Sequence, residues 1–346
     1  MFEAVALVCA LGAAGEACRD VLVPGHAAAT AEACAASAAA APPDWLAAVD
    51  LRRLDCQPRP VSQLAFAEVA PGVFVHEGLI ADAGPDNAGD VANVGFVIGE
   101  ASVAVIDSGG SRLVGEQVYL AVRERTEKPI SHLILTHMHP DHVFGAAAFA
   151  DDGAILVGHA HLPRALADRQ EIYMANFSRR IGDPAFLGTR IVAPTLLVED
   201  QAEIELGGRL LDLRRWPTGH SESDLTVFDR ATGTLFTGDL VFDRYTPSLD
   251  GSLRGWQANL AAIRAIPAAR AIPGHGGPVL DWPAGAAPEA RYLDRLATDA
   301  KAAIDAGVPL SEAIETIGTA EAGNWQLFGN FNARNATVAY TELEWE

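Results

Sequence analysis

Residues 133 to 146 read LILTHMHPDHVFGA, so three histidines and an aspartate fall within six positions, with apolar residues before and after them. SHLILT ahead of the motif is a short leucine-rich β run, and VFGAAAFA behind it is helical; the motif therefore lies where a strand empties into a helix. His137 and His139, two apart in an extended segment, point the same way and can share one ion. Asp141 and His142 follow where the chain turns. A zinc ion draws three or four N, O or S ligands at about 2.0–2.3 Å, and this loop alone offers four. A lone HxH pair arises often by accident, but HxHxDH at a strand-to-helix junction favours metal binding over a solvated polar turn.

Three further turns supply partners, each at the end of an expected strand: PTGHSESD with His220, LFTGDLVF with Asp239 and IPGHGGP with His275. A glycine precedes each of these residues, as expected where backbone must come close to an ion. The surrounding pattern is strand-rich on both sides of the centre. GVFVHEG, NVGFVIG and SVAVIDSG read as strands, the last two joined by a tight turn at Gly99 and Glu100, and RLVGEQVYLAVRERT as a helix. AEIELGGRLLDLRRW and DLTVFDRATGTLFTGD read as two more hairpins and ARAIPGH as a last buried strand. Two packed sheets with helices outside fit this order better than one parallel sheet.

The chain divides into residues 1–60, a small cysteine-containing module; residues 65–280, the body that carries the motifs; and residues 281–346, a helical extension packed on the core or roofing the site. All four cysteines, Cys9, Cys18, Cys34 and Cys56, fall in the first part. An even number without a CxxC pair suggests two disulfides, with three connectivities open, and buried free thiols are the alternative. Within this module HAAATAEACAASAAAAPPDW is an alanine-rich helix stopped at Pro42 and Pro43, and QPRPVSQ is a linker. The opening MFEAVALVCALGAA has the apolar middle of a signal peptide but no basic start, so it is expected to be a buried helix or strand.

With 49% hydrophobic residues in 346, the chain can bury a large core. Its formal charge of −20, from 45 acidic and 25 basic residues, repels phosphate backbones and anionic lipid, so nucleic acid is not an expected partner. No apolar run reaches the roughly 18–20 residues that span a bilayer, and a soluble, non-spanning chain is expected.

Taken together, these residues resemble the metallo-β-lactamase superfamily over roughly residues 65 to 280. The resemblance implies an α/β fold, a four-layer αβ/βα sandwich with a dinuclear metal site along one edge. It implies that His137, His139 and His220 hold the first metal, that Asp141, His142 and His275 hold the second, and that Asp239 bridges them. Two Zn²⁺ ions suit these imidazoles and carboxylates, with iron or manganese also compatible. Two ions sharing a water lower its pKa from near 16 to about 7, and Asp141 is placed to orient that nucleophile and pass a proton to the leaving group. The expected activity is hydrolysis of an ester, thioester, lactone or related acyl bond of a small molecule.

The cysteine-bearing N-terminal module, GDVANVGFVIG and the closing NWQLFGNFNARNATVAYTELEWE are similar to the quinoprotein relay system zinc metallohydrolases. That similarity implies a periplasmic protein accompanying quinoprotein dehydrogenases and cytochromes c, with the cytoplasm as the alternative compartment. Competing functions are a β-lactamase, which usually lacks an aspartate where Asp239 stands; a mononuclear iron persulfide dioxygenase, which would not need His142 and His275; and a non-catalytic metal-binding accessory protein. His159 and His161 imitate an HxH pair without a carboxylate nearby, and His26, His76 and His132 are isolated, so none is expected to bind metal. Tyr173, Asn176, Phe177 and Tyr245 could roof the site, but ordinary packing is the plainer expectation.

Overall fold

The computed structural model describes residues 1–12 and 15–346. The opening apolar segment is a strand, Phe2–Gly12, at the centre of a three-stranded antiparallel sheet flanked by Gly15–Ala28 and Asp50–Pro58. Its period-2 alternation decides what each face meets. Ala4, Ala6 and Val8 pack under the helix Ala31–Ala40 with Cys34 and Ala38, while Val5 faces the main body. Thr30 caps this helix by accepting from the Ala33 amide, and the helix ends before Pro42 as the sequence indicates. Strand register settles the cysteine connectivity. Cys9 and Cys18 stand opposite each other and are bonded, with Cα atoms 4.0 Å apart, and Cys34 on the helix joins Cys56 on the third strand.

Two larger sheets form the body. The first has seven strands in the spatial order Leu196–Val198, Ile155–His159, Ile130–Leu135, Val103–Ile106, Val94–Ile98, Val73–His76 and Ala67–Ala70, parallel in its first half and antiparallel in its second. The second has six strands from Gln201–Glu205 to Leu280–Asp281, with its one parallel pair between Thr234–Phe242 and Arg270–His275. Strand Val103–Ile106 illustrates why the layers form. All four residues are buried; Val103 and Val105 meet the helix Arg112–Arg123, whereas Ala104 and Ile106 join Ile134, Leu213, Val227 and Phe236 between the sheets. A strand apolar on both faces must be covered on both. Helices Leu253–Ile263, Ala287–Asp305 and Phe328–Leu343 cover the outer face of the second sheet around Trp256, Tyr292 and Leu296. The result is a helix–sheet–sheet–helix sandwich, the α/β class expected from the strand order.

The N-terminal sheet sits on this sandwich through buried charges. Arg112 is fully buried; its Nε donates to Glu116 at 3.0 Å, its Nη2 reaches Asp151 at 2.8 Å and the Leu22 carbonyl at 2.9 Å, and its guanidinium lies over Trp45. Arg19 of the N-terminal sheet also donates to Glu116, at 2.8 Å. Removing one member of such a buried network leaves carboxylates without neutralisation, which costs about 3–5 kcal/mol. Arg112→Ala is therefore expected to lower unfolding free energy by that order in urea titrations, whereas Arg52→Ala, at an exposed pair with Glu16 and Asp50, should leave it nearly unchanged. Equal effects would show that the Arg112 network does not fix the interface.

Candidate metal centre

Strand Ile130–Leu135 ends just before Thr136, and the chain then passes through His137, Met138 and His139 into a short helical turn, Pro140–Val143. On the other sheet His220 follows strand Leu210–Arg215, Asp239 lies within Thr234–Phe242, and His275 ends Arg270–His275. The seven residues singled out in the sequence come together. The ligand atoms of His137, His139, His220 and Asp239 lie within 4.8 Å of one another, and so do those of Asp141, His142 and His275.

Asp239 stands between the two groups. Its Oδ2 is 3.6 Å from His137 Nε2, 3.4 Å from His220 Nε2 and 3.4 Å from His275 Nε2, and its Oδ1 is 3.1 Å from His142 Nε2. Asp141 Oδ2 is 3.3 Å from His275 Nε2. Glycine is required in this packing, because a Cβ on Gly274 would overlap Asp239 Oδ1, and Gly238 has a φ of +51° with Thr136 against it.

Each histidine turns one nitrogen to the centre and has the other held by the protein. His220 Nδ1 donates to the Ser248 carbonyl at 2.6 Å and His275 Nδ1 to the Val91 carbonyl at 2.8 Å, so Nε2 is the nitrogen each ring turns to the centre. His142 Nδ1 meets Asp107 at 2.9 Å, His137 Nδ1 meets the Thr136 hydroxyl at 3.0 Å, and His139 Nε2 meets Asp250 at 3.1 Å. The inward nitrogens of His137 and His220 lie 3.0 and 2.9 Å from His139 Nδ1. His142 Nε2 and Asp239 Oδ1 are buried and form no hydrogen bond. Buried polar atoms without partners are costly, and inward lone pairs at this spacing ask for a cation. The donor set fits one.

Protonation carries the same message. Burial holds His220 down to about 3, so its ring is neutral, the form that ligates. Burial also disfavours charge on His275, yet Asp239 and Asp141 push it up to about 9. Burial opposes ionisation of Asp141, but His142 and His275 hold its carboxyl at about 2. Where no metal neutralises the carboxylates, the histidines must.

Several residues that position the site were missed in the sequence. Asp107, with a φ of +60°, accepts from the Thr136 amide and hydroxyl, both at 2.8 Å, as well as facing His142. Asn93 bridges the sheets, its amide donating to the Pro273 carbonyl at 2.9 Å while its own backbone N–H donates to Gly274. Asp250 holds His139 and also takes Arg169 at 2.8 Å and Arg334. Asp107 had a signal, an acid closing a wholly apolar strand before SGG; Asp250 had none. Tyr173, Asn176, Phe177 and Tyr245, named as residues that could roof the site with packing the plainer expectation, all line a cavity of about 270 Å³ above the centre, and Tyr173, Phe177 and Tyr245 also pack on the cores. Tyr245 lies over the His275 ring with centroids 4.5 Å apart. His159 is buried at the end of its strand, its Nδ1 accepting from the His161 amide, outside both groups; His26, His76 and His132 pair with Ser37, Asp90 and Ser131.

A sandwich with this site at the strand ends is that of a metallohydrolase-type fold, and the chain belongs to the metallo-beta-lactamase superfamily, whose profile matches residues 88–275. Acyl-coenzyme A thioesterase MBLAC2 of Homo sapiens is 31% identical over 186 residues, 49% of this chain and 62% of that protein. The chain thus spans about three fifths of that relative's length. Among solved structures, a metallo-beta-lactamase from Pontibacter korlensis superposes with a TM-score of 0.55 at 19% identity, covering 67% of this chain and 99% of that one. The sec-alkylsulfatase Pisa1 from a Pseudomonas species gives 0.61 at 16% identity, covering 80% and 50%. These two likenesses are of fold. Among the described residues, no helix is long and apolar enough to cross a membrane.

In metal-stripped protein, NMR titration is expected to find the His275 ring protonated at neutral pH and titrating near pH 9. Its folded pKa exceeds the ordinary 6.5, so the pairing stabilises fully below about pH 6.5 and is lost as pH rises through about 9. Asp239→Asn should bring the midpoint down; an unchanged midpoint would contradict the assignment.

Proposed function

We propose that the protein is a zinc-dependent hydrolase of acyl bonds in small molecules, with thioesters ahead of esters and lactones. The observation that carries this reading is the set of five anchored imidazoles and two carboxylates converging on the floor of a cavity. The thioester emphasis draws on the MBLAC2 relatives, which are named as acyl-coenzyme A thioesterases. In this reading His137, His139 and His220 hold one zinc, Asp141, His142 and His275 a second, and Asp239 lies between both. Residues 65–280 form the catalytic domain, residues 1–60 a module set against it, and residues 281–346 an extension whose Phe331 and Arg334 help enclose the cavity.

When bound, two such cations would supply a nucleophilic water at neutral pH and an electrophile for the carbonyl oxygen. The protein does the remainder. Fixed outer hydrogen bonds at all five histidines set the tautomers and ring orientations, so little reorganisation accompanies charge development. Asp141 Oδ2 faces His275, which leaves Oδ1 to take a proton from the attacking water and return it to the leaving sulfur or oxygen. Phe242, Tyr245 and Phe331 line the cavity and limit water around the acyl group.

Two disulfides, Cys9–Cys18 and Cys34–Cys56, support export to an oxidising compartment, and the reading places the protein in the periplasm. Partnership with a quinoprotein dehydrogenase or cytochrome c system rests on the resemblance of the N-terminal module and the closing segment alone.

Metal quantification by plasma emission, with thioester, lactone, cephalosporin and alkyl sulfate substrates on the same sample, tests the proposal. Two zinc ions per chain and thioester turnover that a chelator abolishes and zinc restores are expected. Asp239→Ala should lose the second metal preferentially and lower turnover by at least about 100-fold, His137→Ala should empty the first site, and His159→Ala should leave metal content unchanged. A single tightly bound iron, oxygen-dependent turnover and indifference to His275→Ala would replace the hydrolase by a dioxygenase.

A further inference from the structure

The helix Leu162–Ile181 runs along the cavity, and the residues it contributes are spaced as one helical face: Arg169, Ile172, Tyr173, Asn176, Phe177 and Arg180. The face begins and ends in arginine, with about 16 Å of helix between the two by the 1.5 Å rise per residue. The two arginines have different surroundings. Arg169 donates to Asp250 at 2.8 Å, the carboxylate that Arg334 also reaches from the helix Phe328–Leu343 and that holds His139. These two cations therefore have structural work. Arg180 is exposed at the cavity wall and, among the described residues, has no ion-pair partner.

The charge around the opening runs against the charge of the molecule. The chain carries −20 overall, yet the wall above the centre places three guanidiniums against two carboxylates, Asp250 and the exposed Asp82. Asp82 already accepts from Asn330 at 2.8 Å. The carboxylates of the floor, Asp141 and Asp239, face histidines and the cations the centre is suited to hold. A net negative protein repels small anions at a distance, so an anionic substrate needs a local positive station. A cavity of about 270 Å³ has room for a small acyl group rather than a macromolecule.

We infer that the substrate carries a second anionic group, a carboxylate or phosphate apart from the scissile bond, and that Arg180 receives it while the bond lies over the histidine–aspartate centre. This rests on the hydrolase reading and narrows it to anionic acyl compounds. A guanidinium pairs with either oxyanion through two parallel N–H donors, which a lysine cannot reproduce. The apolar stretch between the stations, Ile172, Phe177 and Phe331, suits the hydrocarbon that would separate the two groups.

Matched thioesters test this and locate the anion. The zinc-loaded protein is given N-acetylcysteamine thioesters of glutarate and of pentanoate, alike in length but differing in the distal carboxylate, and the coenzyme A thioester of pentanoate, whose leaving group carries phosphates. A kcat/KM at least about tenfold higher for one of the anionic pair than for the neutral compound is expected, expressed mainly in KM. Arg180→Ala should abolish that preference and Arg180→Lys should restore part of it. If glutaryl is the favoured compound the anion is on the acyl side; if the coenzyme A ester is, it is on the leaving group. A preference for the neutral thioester, or an anionic preference that survives Arg180→Ala, overturns the inference. Calorimetry separates this from the hydrolase reading. Glutarate should bind the same protein about tenfold tighter than pentanoate, with the difference lost in Arg180→Ala. If no thioester is cleaved but that difference is present, the reaction class is wrong and the anion station stands; equal binding in the wild type together with no Arg180-dependent preference for the coenzyme A ester removes the station.

Discussion

Seven ligand-type side chains share a space a few ångströms across, and they stay there because every ring nitrogen that does not face the centre is tied to the protein. Ser248 and Val91 carbonyls, Asp107, Asp250 and the Thr136 hydroxyl hold the five outer nitrogens. Without those ties, buried imidazoles would rotate to satisfy one another. With them, lone pairs are aimed at one another and at Asp239, and a cation answers the arrangement better than any rotamer change. The ties come from loops of both sheets, so the centre can form only when the sandwich is closed.

How much of this was legible in the sequence follows from the range of the interactions. HxHxDH is local, and the glycine ahead of each of His220, Asp239 and His275 is visible in the sequence, although the neighbours that exclude a Cβ there, Asn259, Thr136 and Asp239, are distant along the chain. The two-sheet layering was readable because strand-rich blocks recur on both sides of the centre with helical stretches between them, and Val103–Ile106, buried on both faces, bears the layering out. Asp250 acts on His139 across 111 residues and Asp107 on His142 across 35, and no spacing rule connects such partners. The cavity-lining face of Leu162–Ile181 was only half legible for a related reason. An amphipathic helix carrying Tyr173 and Phe177 reads as core packing, and these side chains do pack on the core while one edge of the helix also meets the cavity.

The cysteines show the complementary case. Their number and confinement to the first 56 residues indicated two bridges, yet pairing stayed open because loop length does not choose among three connectivities. Register chose. The antiparallel register of Phe2–Gly12 with Gly15–Ala28 sets Cys9 opposite Cys18, and the helix begun at Thr30 presents Cys34 to the third strand. A module with so few large side chains gains from cross-links what its core does not supply.

That module also bears on the centre, through two helices. Arg112–Arg123 starts immediately after the loop that carries Asp107, and Ala146–Asp151 starts immediately after the loop that carries His137 to His142. The loops are locked together: Ser108 donates through its amide and its hydroxyl to the His142 carbonyl, and the Gly145 amide donates to Gly109. The N-terminal sheet grips the same helices, Arg19 reaching Glu116 while Gly25 packs against the Asp151 backbone, and Arg112 joins Glu116 to Asp151 beneath them. Interactions in the N-terminal sheet therefore set the relative position of the two loops whose contact aims Asp107 at His142. The module's contacts with the site thus run through the positions of these two helices rather than through any residue near the cavity.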